Sequence, residues 1–309
     1  MKTLISLAIL TAFGGSLWAA DAKAIIADAK AIIVMEDDAQ QVWITAASAT
    51  NLEYKEREIA IDRLRVARSS LLSILFYEPD LYKEAMVLFE NRDYAGAKVK
   101  FKECAEAFKK LEEIPGNYGT LAGFYVLECC RIQEELEELA QLLEVYRGQA
   151  SLVRESQKNQ FEVYIAWDAV RTKSWARLEG LTAEMLAQKR WTGTQLAQIY
   201  YCRGMACEGI GNATEALNAF NGAFTADFTA SSELTKKAAI ACLRVIKGHE
   251  EVQLAIKLFG TEDEDPNSTG STLLQEGVAL CELWTKALGD GQALPAEYKE
   301  LLKFKAKAS

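Results

Sequence analysis

Apolar positions recur at three- and four-residue intervals through most of the chain, the period of a single helix face. Between about residues 79 and 260 they fall into a repeating unit. Its clearest copy runs from Tyr200 to Ala223. A first helix ends at Gly211-Asn212, which can supply a left-handed turn, and Ala216, Phe220 and Ala223 then mark the buried face of a second helix. Gly204 leaves a gap in the first helix where the second must come close. Small or apolar markers repeat in the same frame as Ala85 and Ala97, Leu127 and Leu139, Ala166 and Leu178, Gly204 and Ala216, and Leu243 and Ala255, each pair 12 residues apart. From unit to unit the first marker advances by 42, 39, 38 and 39 residues. The pattern predicts five helix pairs in succession.

The flanks read as helical too. Ala22-Lys23-Ala24-Ile25-Ile26 returns as Ala29-Lys30-Ala31-Ile32-Ile33, a seven-residue echo with apolar pairs on one face. It reads as a capping helix, and a dimerising coiled coil would need more heptads. A long helix is expected over residues 52–76, ending before Glu78-Pro79. After the repeats come an acidic loop, with Glu262, Asp263, Glu264 and Asp265, and a helix pair over about residues 272–288 and 296–305. Lys299, Lys303, Lys305 and Lys307 give that pair the polar outer face a terminal repeat needs. The expected organisation is a signal peptide at 1–19, capping helices at 20–78, repeats at 79–260 and a C-terminal cap at 261–309.

The unit resembles the tetratricopeptide repeat, through Gly204, Cys207, Gly211, Ala216, Phe220 and Ala223. Cys207 and Ala213 stand where that family usually has an aromatic, and the steps here exceed its usual repeat of about 34 residues. The large Leu127, Leu139 and Leu178 replace small residues and imply splayed pairs. The resemblance implies an all-α fold, a right-handed superhelical solenoid of antiparallel helix pairs whose first helices line a concave face. On that face it would place Tyr82, Met86 and Phe89, then Phe124, Glu128 and Arg131, then Val163, Trp167, Val170 and Arg171, and finally Tyr201, Met205 and Glu208. An aromatic, Met-containing surface of this kind suits peptide or protein recognition. The other reading of the same residues is core, with the groove filled by neighbouring helices. If the groove is open, Trp167→Ala and Tyr201→Ala should weaken partner capture and leave stability nearly unchanged.

Composition narrows the chemistry. Four prolines and 19 glycines in 309 residues suit long helices better than a turn-dense sandwich or barrel. A formal charge of −9 argues against a nucleic-acid surface. The single histidine, His249, excludes His-rich metal sites and two-imidazole mechanisms, and reads as a turn residue or helix cap. The seven cysteines read as small core residues, or as one or two disulfides joining Cys207 to Cys242 or Cys104 to Cys129. The acidic loop lacks calcium-loop spacing, and Glu134, Glu135, Glu137 and Glu138 read as a solvated helix start. No cofactor and no metal are expected.

The N-terminus carries an address. Lys2, an apolar stretch from Leu4 to Phe13 and small residues up to Ala20 make a secretory signal pattern with cleavage after Ala19. The first cysteine is Cys104, so no lipoprotein anchor is expected, and the location implied is periplasmic or extracellular. No later stretch approaches membrane-spanning length; the run 71–77 reads as helix core. Together these readings give an exported, non-catalytic scaffold that holds a peptide or protein, in a bacterial envelope assembly or secretion system. The alternatives are a helical domain of a peptidoglycan-acting enzyme and a homo-oligomer joined through the heptad echo.

Overall fold

The computed structural model describes residues 27–226 and 232–305. The signal pattern, the first copy of the echo and Lys307 lie outside the described residues. Residues 29–76 form a sheet, not a set of capping helices. Strands β1 (Ala29–Val34), β2 (Ala39–Ala47), β3 (Asn51–Lys55), β4 (Leu64–Ala67) and β5 (Ser73–Phe76) are joined in the order β4-β3-β2-β1-β5, with every neighbouring pair antiparallel. The fold is therefore mostly helical but not all-α.

The physical reason lies in a period of two. Ala29, Ala31 and Ile33 point inward from β1, as do Val42 and Ile44 from β2 and Leu52 and Tyr54 from β3. The second copy of the echo is strand β1, and the expected helix over residues 52–76 is replaced by β3, β4 and β5. Polar turns break the run: the Met35 N–H donates to the Asp38 carbonyl at 2.8 Å, and the Ser48 N–H to the Asn51 carbonyl at 2.9 Å. The inward face shares one core with Phe101, Phe108, Leu111 and Ile114, so the sheet caps the first helix pair. The Arg68 guanidinium ties the sheet to the same region by donating to the Glu113 carbonyl at 3.3 Å.

The helices are packed in neighbouring pairs, at the expected positions. They are α1 (Asp80–Glu90) with α2 (Tyr94–Ala107), α3 (Tyr118–Ile132) with α4 (Leu136–Val145), α5 (Glu155–Arg171) with α6 (Trp175–Leu186), α7 (Gly193–Gly209) with α8 (Ala213–Ala226), and α9 (Ser232–Gly248) with α10 (Glu250–Leu258). Nine of the ten markers carry a side chain and all nine are buried. At the tenth, Gly204, an added Cβ would collide with the Phe220 ring.

The constant spacing of 12 has a backbone cause. Seven residues after the first marker, Arg92, Glu134, Lys173 and Gly211 take left-handed φ values of 64°, 59°, 52° and 82°. The next N–H then reaches back five residues: Asp93 to Leu88, Glu135 to Cys130 and Ser174 to Ala169 at 2.9 Å, and Asn212 to Cys207 at 2.8 Å. This satisfies the last carbonyls of the first helix and reverses the chain in one step. The fifth pair turns at His249, whose φ is −73°, without such a residue.

Helix α11 (Thr269–Leu283) and the short α12 (Ala296–Lys299) close the chain, the latter continuing as a 3-10 turn over Glu300–Phe304 in place of one longer helix. Charged contacts bring the end of the array back to its beginning. Arg92 Nη1 lies 3.7 Å from Glu233 and 3.5 Å from Asp290, and Lys237 pairs with Glu134 at 3.0 Å. Among the described residues no helix is long and apolar enough to cross a membrane.

Candidate functional site

In the first-helix frame, the residues proposed for the concave face stand three before, one after and four after each marker, with Arg171 added in the third pair. The position three before is buried in all four pairs: Tyr82, Phe124, Val163 and Tyr201 are 5%, 6%, 0% and 8% exposed. Three of the four are aromatic and the fourth is valine. The other positions divide the molecule in two.

In the N-terminal half the face is open. Two adjoining cavities of about 420 Å3 each lie along α1, α3 and α5 and share Tyr125, Arg154 and Gln157. Tyr82 and Met86 line one; Phe89, Phe124, Glu128 and Arg131 line the other. The floor is aromatic. Tyr125 stacks on Phe101 with centroids 5.1 Å apart and meets Phe89 and Phe124 edge-on at 5.2 and 5.6 Å. Burial, with a smaller contribution from Tyr125, pushes the Tyr82 phenol far above its ordinary pKa, so it stays neutral. Arg131 is 5% exposed and gives Nε and Nη2 to the two oxygens of Glu128 at 3.0 and 2.8 Å. The Tyr164 hydroxyl donates to the same carboxylate at 2.7 Å.

In the C-terminal half the face is filled. Val163, Trp167 and Tyr201 belong to the core, with Val170 and Met205 packed against it. Trp167 is 2% exposed, and its indole N–H donates to Gln198 Oε1 at 3.0 Å, beside a bond from Gln160 Nε2 to the same oxygen at 2.8 Å. Arg171 is held by Asp168 at 2.8 Å, and Glu208 by Arg244 at 2.6 Å. Trp167 and Tyr201 are both buried, the arrangement of the core reading of these residues.

Tyr118, Tyr125, Arg154 and Gln157 also line the open half and escape a reading by repeat position. Tyr125 sits two residues before its marker, and Arg154 lies in the linker before α5, outside the repeat frame. The two tyrosines have one signal in the sequence, the aromatic density from Tyr118 to Tyr125; Arg154 and Gln157 have none.

A larger cavity of about 490 Å3 lies apart, between α2, α3 and α4, where Gly119 and Gly123 leave space beside Phe108, Val126 and Leu142. Its exposed wall is mainly apolar, with Lys102, Glu106, Lys109 and Glu112 also lining it, and Lys102 is bound to Glu138 at 2.6 Å.

One cluster of metal-ligand type occurs among the described residues, Cys130 with Glu135 and Glu138. Lys98 fills it, bonded to Glu135 and, at 2.9 Å, to Glu138. These acids therefore tie α4 to α2 instead of forming a solvated helix start. Burial opposes the Lys98 charge, but the bonds to Glu135 and Glu138 outweigh it and raise its pKa. For Glu138 burial again opposes the charge, and the bonds from Lys102 and Lys98 prevail, so its pKa falls. A lowered carboxylate pKa stabilises above the unfolded value of about 4.3 and is lost as pH falls through the folded value. Lys98→Met should therefore destabilise by about 1.5–3 kcal/mol near neutrality and by much less at acidic pH. Urea midpoints of both proteins across that range check this; a gap that does not narrow on acidification refutes it.

The seven cysteines are buried free thiols, so neither Cys207 with Cys242 nor Cys104 with Cys129 is bridged. Burial pushes Cys104, Cys129, Cys130 and Cys242 up to about 12. His249 is half-buried at the start of α10, makes no side-chain cap bond, and has its Nδ1 buried without a partner.

No protein-family model and no curated protein matches the chain. Function has to be argued from the groove itself.

Proposed function

We infer that the protein is a non-catalytic scaffold of tetratricopeptide type, exported to a bacterial envelope, that holds an extended peptide of a partner protein in the N-terminal half of its concave face. The observation that carries this reading is the adjacency of the two cavities, which share Tyr125, Arg154 and Gln157 as lining residues. Side by side they offer an aromatic floor for side chains and amide and guanidinium groups for a backbone. The chemistry on hand supports binding over catalysis. The thiols are buried and protonated, and the Arg131–Glu128 pair is mutually satisfied.

Selection of random peptides displayed on phage against the intact chain tests the reading. Enriched peptides should bind Met86→Glu and Arg154→Glu variants at least about tenfold more weakly, a loss of about 1.4 kcal/mol or more. Arg154 is exposed and Met86 only half-buried, so the melting temperature should move little. A selection that enriches nothing, or peptides that bind both variants as they bind the parent, would reject the groove.

A further inference from the structure

Among the described residues the sheet has two open edges, and they differ in charge. Strand β4 lies among Arg63, Arg65 and Arg68, the usual protection of an edge against pairing. Strand β5 has none: residues 69–77 carry no charge, proline or glycine. Their apolar side chains are nonetheless in the open, with Leu72, Leu75 and Tyr77 70%, 57% and 43% exposed. Leu75 stands opposite Ile32 of β1, on the sheet face turned away from the core.

The geometry points to β5 as a self-association edge, where β5 of a second copy adds antiparallel about a two-fold axis and the two sheets become one. Backbone direction fixes the register. The Tyr77 N–H donates to the Lys30 carbonyl at 3.0 Å, so Tyr77 and, two residues back, Leu75 turn their polar groups toward β1. Alternation leaves the N–H and C=O of Ile74 and Phe76 on the outer edge. A two-fold perpendicular to the sheet keeps each face on its own side, so residues of like parity must meet. Of the registers that satisfy both conditions, the one that keeps every bonded pair within β5 sets Ile74 opposite the partner's Phe76 and Phe76 opposite the partner's Ile74. It makes about four backbone hydrogen bonds and sets Leu75 against the partner's Leu75 at the close, non-bonded position. Neutral edge meets neutral edge, whereas pairing through β4 would bring arginines together. Such a contact is isologous and closes at two copies.

Sedimentation equilibrium of the full chain over a wide concentration range tests this. The parent should show a monomer–dimer equilibrium. Leu75→Lys and Leu75→Glu, each placing like charges opposite one another at an exposed position, should each weaken it at least about tenfold. An equimolar mixture of the two variants should dimerise again, a result that misfolding cannot produce. Ala67→Lys, at an exposed position of β4, should leave the mass unchanged. A parent that stays monomeric throughout, including one whose edge takes a strand only from another protein, overturns the proposal. So does a Leu75→Lys variant that dimerises like the parent, or a mixture that does not recover.

Discussion

Trp167→Ala should destabilise the protein by about 3–5 kcal/mol, the cost of emptying a fully packed aromatic site in a core. The indole is 2% exposed, lies 5.8 Å from the Tyr201 ring between centroids, and shares Gln198 Oε1 with Gln160. Truncation therefore removes a large apolar volume and leaves a buried amide oxygen with one donor fewer. Trp167→Phe separates the two contributions, because it keeps most of the ring and loses only the donor. About 1 kcal/mol is expected for that smaller change. Urea unfolding followed by circular dichroism supplies both numbers. A Trp167→Ala protein as stable as the parent would mean that the C-terminal half of the concave face is open in solution.

Glu128→Gln should cost as much, about 3–5 kcal/mol, with almost no change in volume. Arg131 is among the least exposed charged groups described and spends two donors on Glu128. A neutral amide leaves that cation buried without a counter-charge, and it also weakens the acceptor of the Tyr164 hydroxyl. The double variant Glu128→Gln with Arg131→Met should recover most of the loss, because removing both charges leaves nothing unpaired. If the single variant loses under about 1 kcal/mol, water reaches the pair and the groove floor is wetter than the geometry shows.

The helix pairs were legible in the sequence because their signal is local. A left-handed residue seven positions beyond four of the five first markers sets the turn, and small or apolar residues on either side do the rest. Three of the four turns do this without glycine, at Arg92, Glu134 and Lys173, so the marker spacing was a better guide than the turn residue. Which half of the concave face stays open was not legible. Trp167 and Met86 occupy the same frame position, yet one is core and the other lines a cavity, because curvature and neighbouring helices decide it. Tyr125 and Arg154 fell outside the frame for the same reason.

The sheet was missed for a different cause. The seven-residue echo suits a heptad and drew attention from the strict alternation Ala29, Ala31, Ile33 against Lys30 and Ile32. In the run 71–77 the apolar residues are too dense for either period to stand out, which is common for a short strand resting on a core.

The contacts of Arg92 with Glu233 and Asp290, and of Lys237 with Glu134, alter how this chain should come apart. An open array of repeats behaves as a one-dimensional lattice in which each end frays independently. Here the fifth pair is fastened to the first and second, and the segment after α11 to the first, so the lattice is a loop, and loosening either end exposes the other. The fastening is ionic and partly exposed, and salt screens it. Dilute buffer should favour all-or-none unfolding, and concentrated salt should restore the independent ends of a linear array.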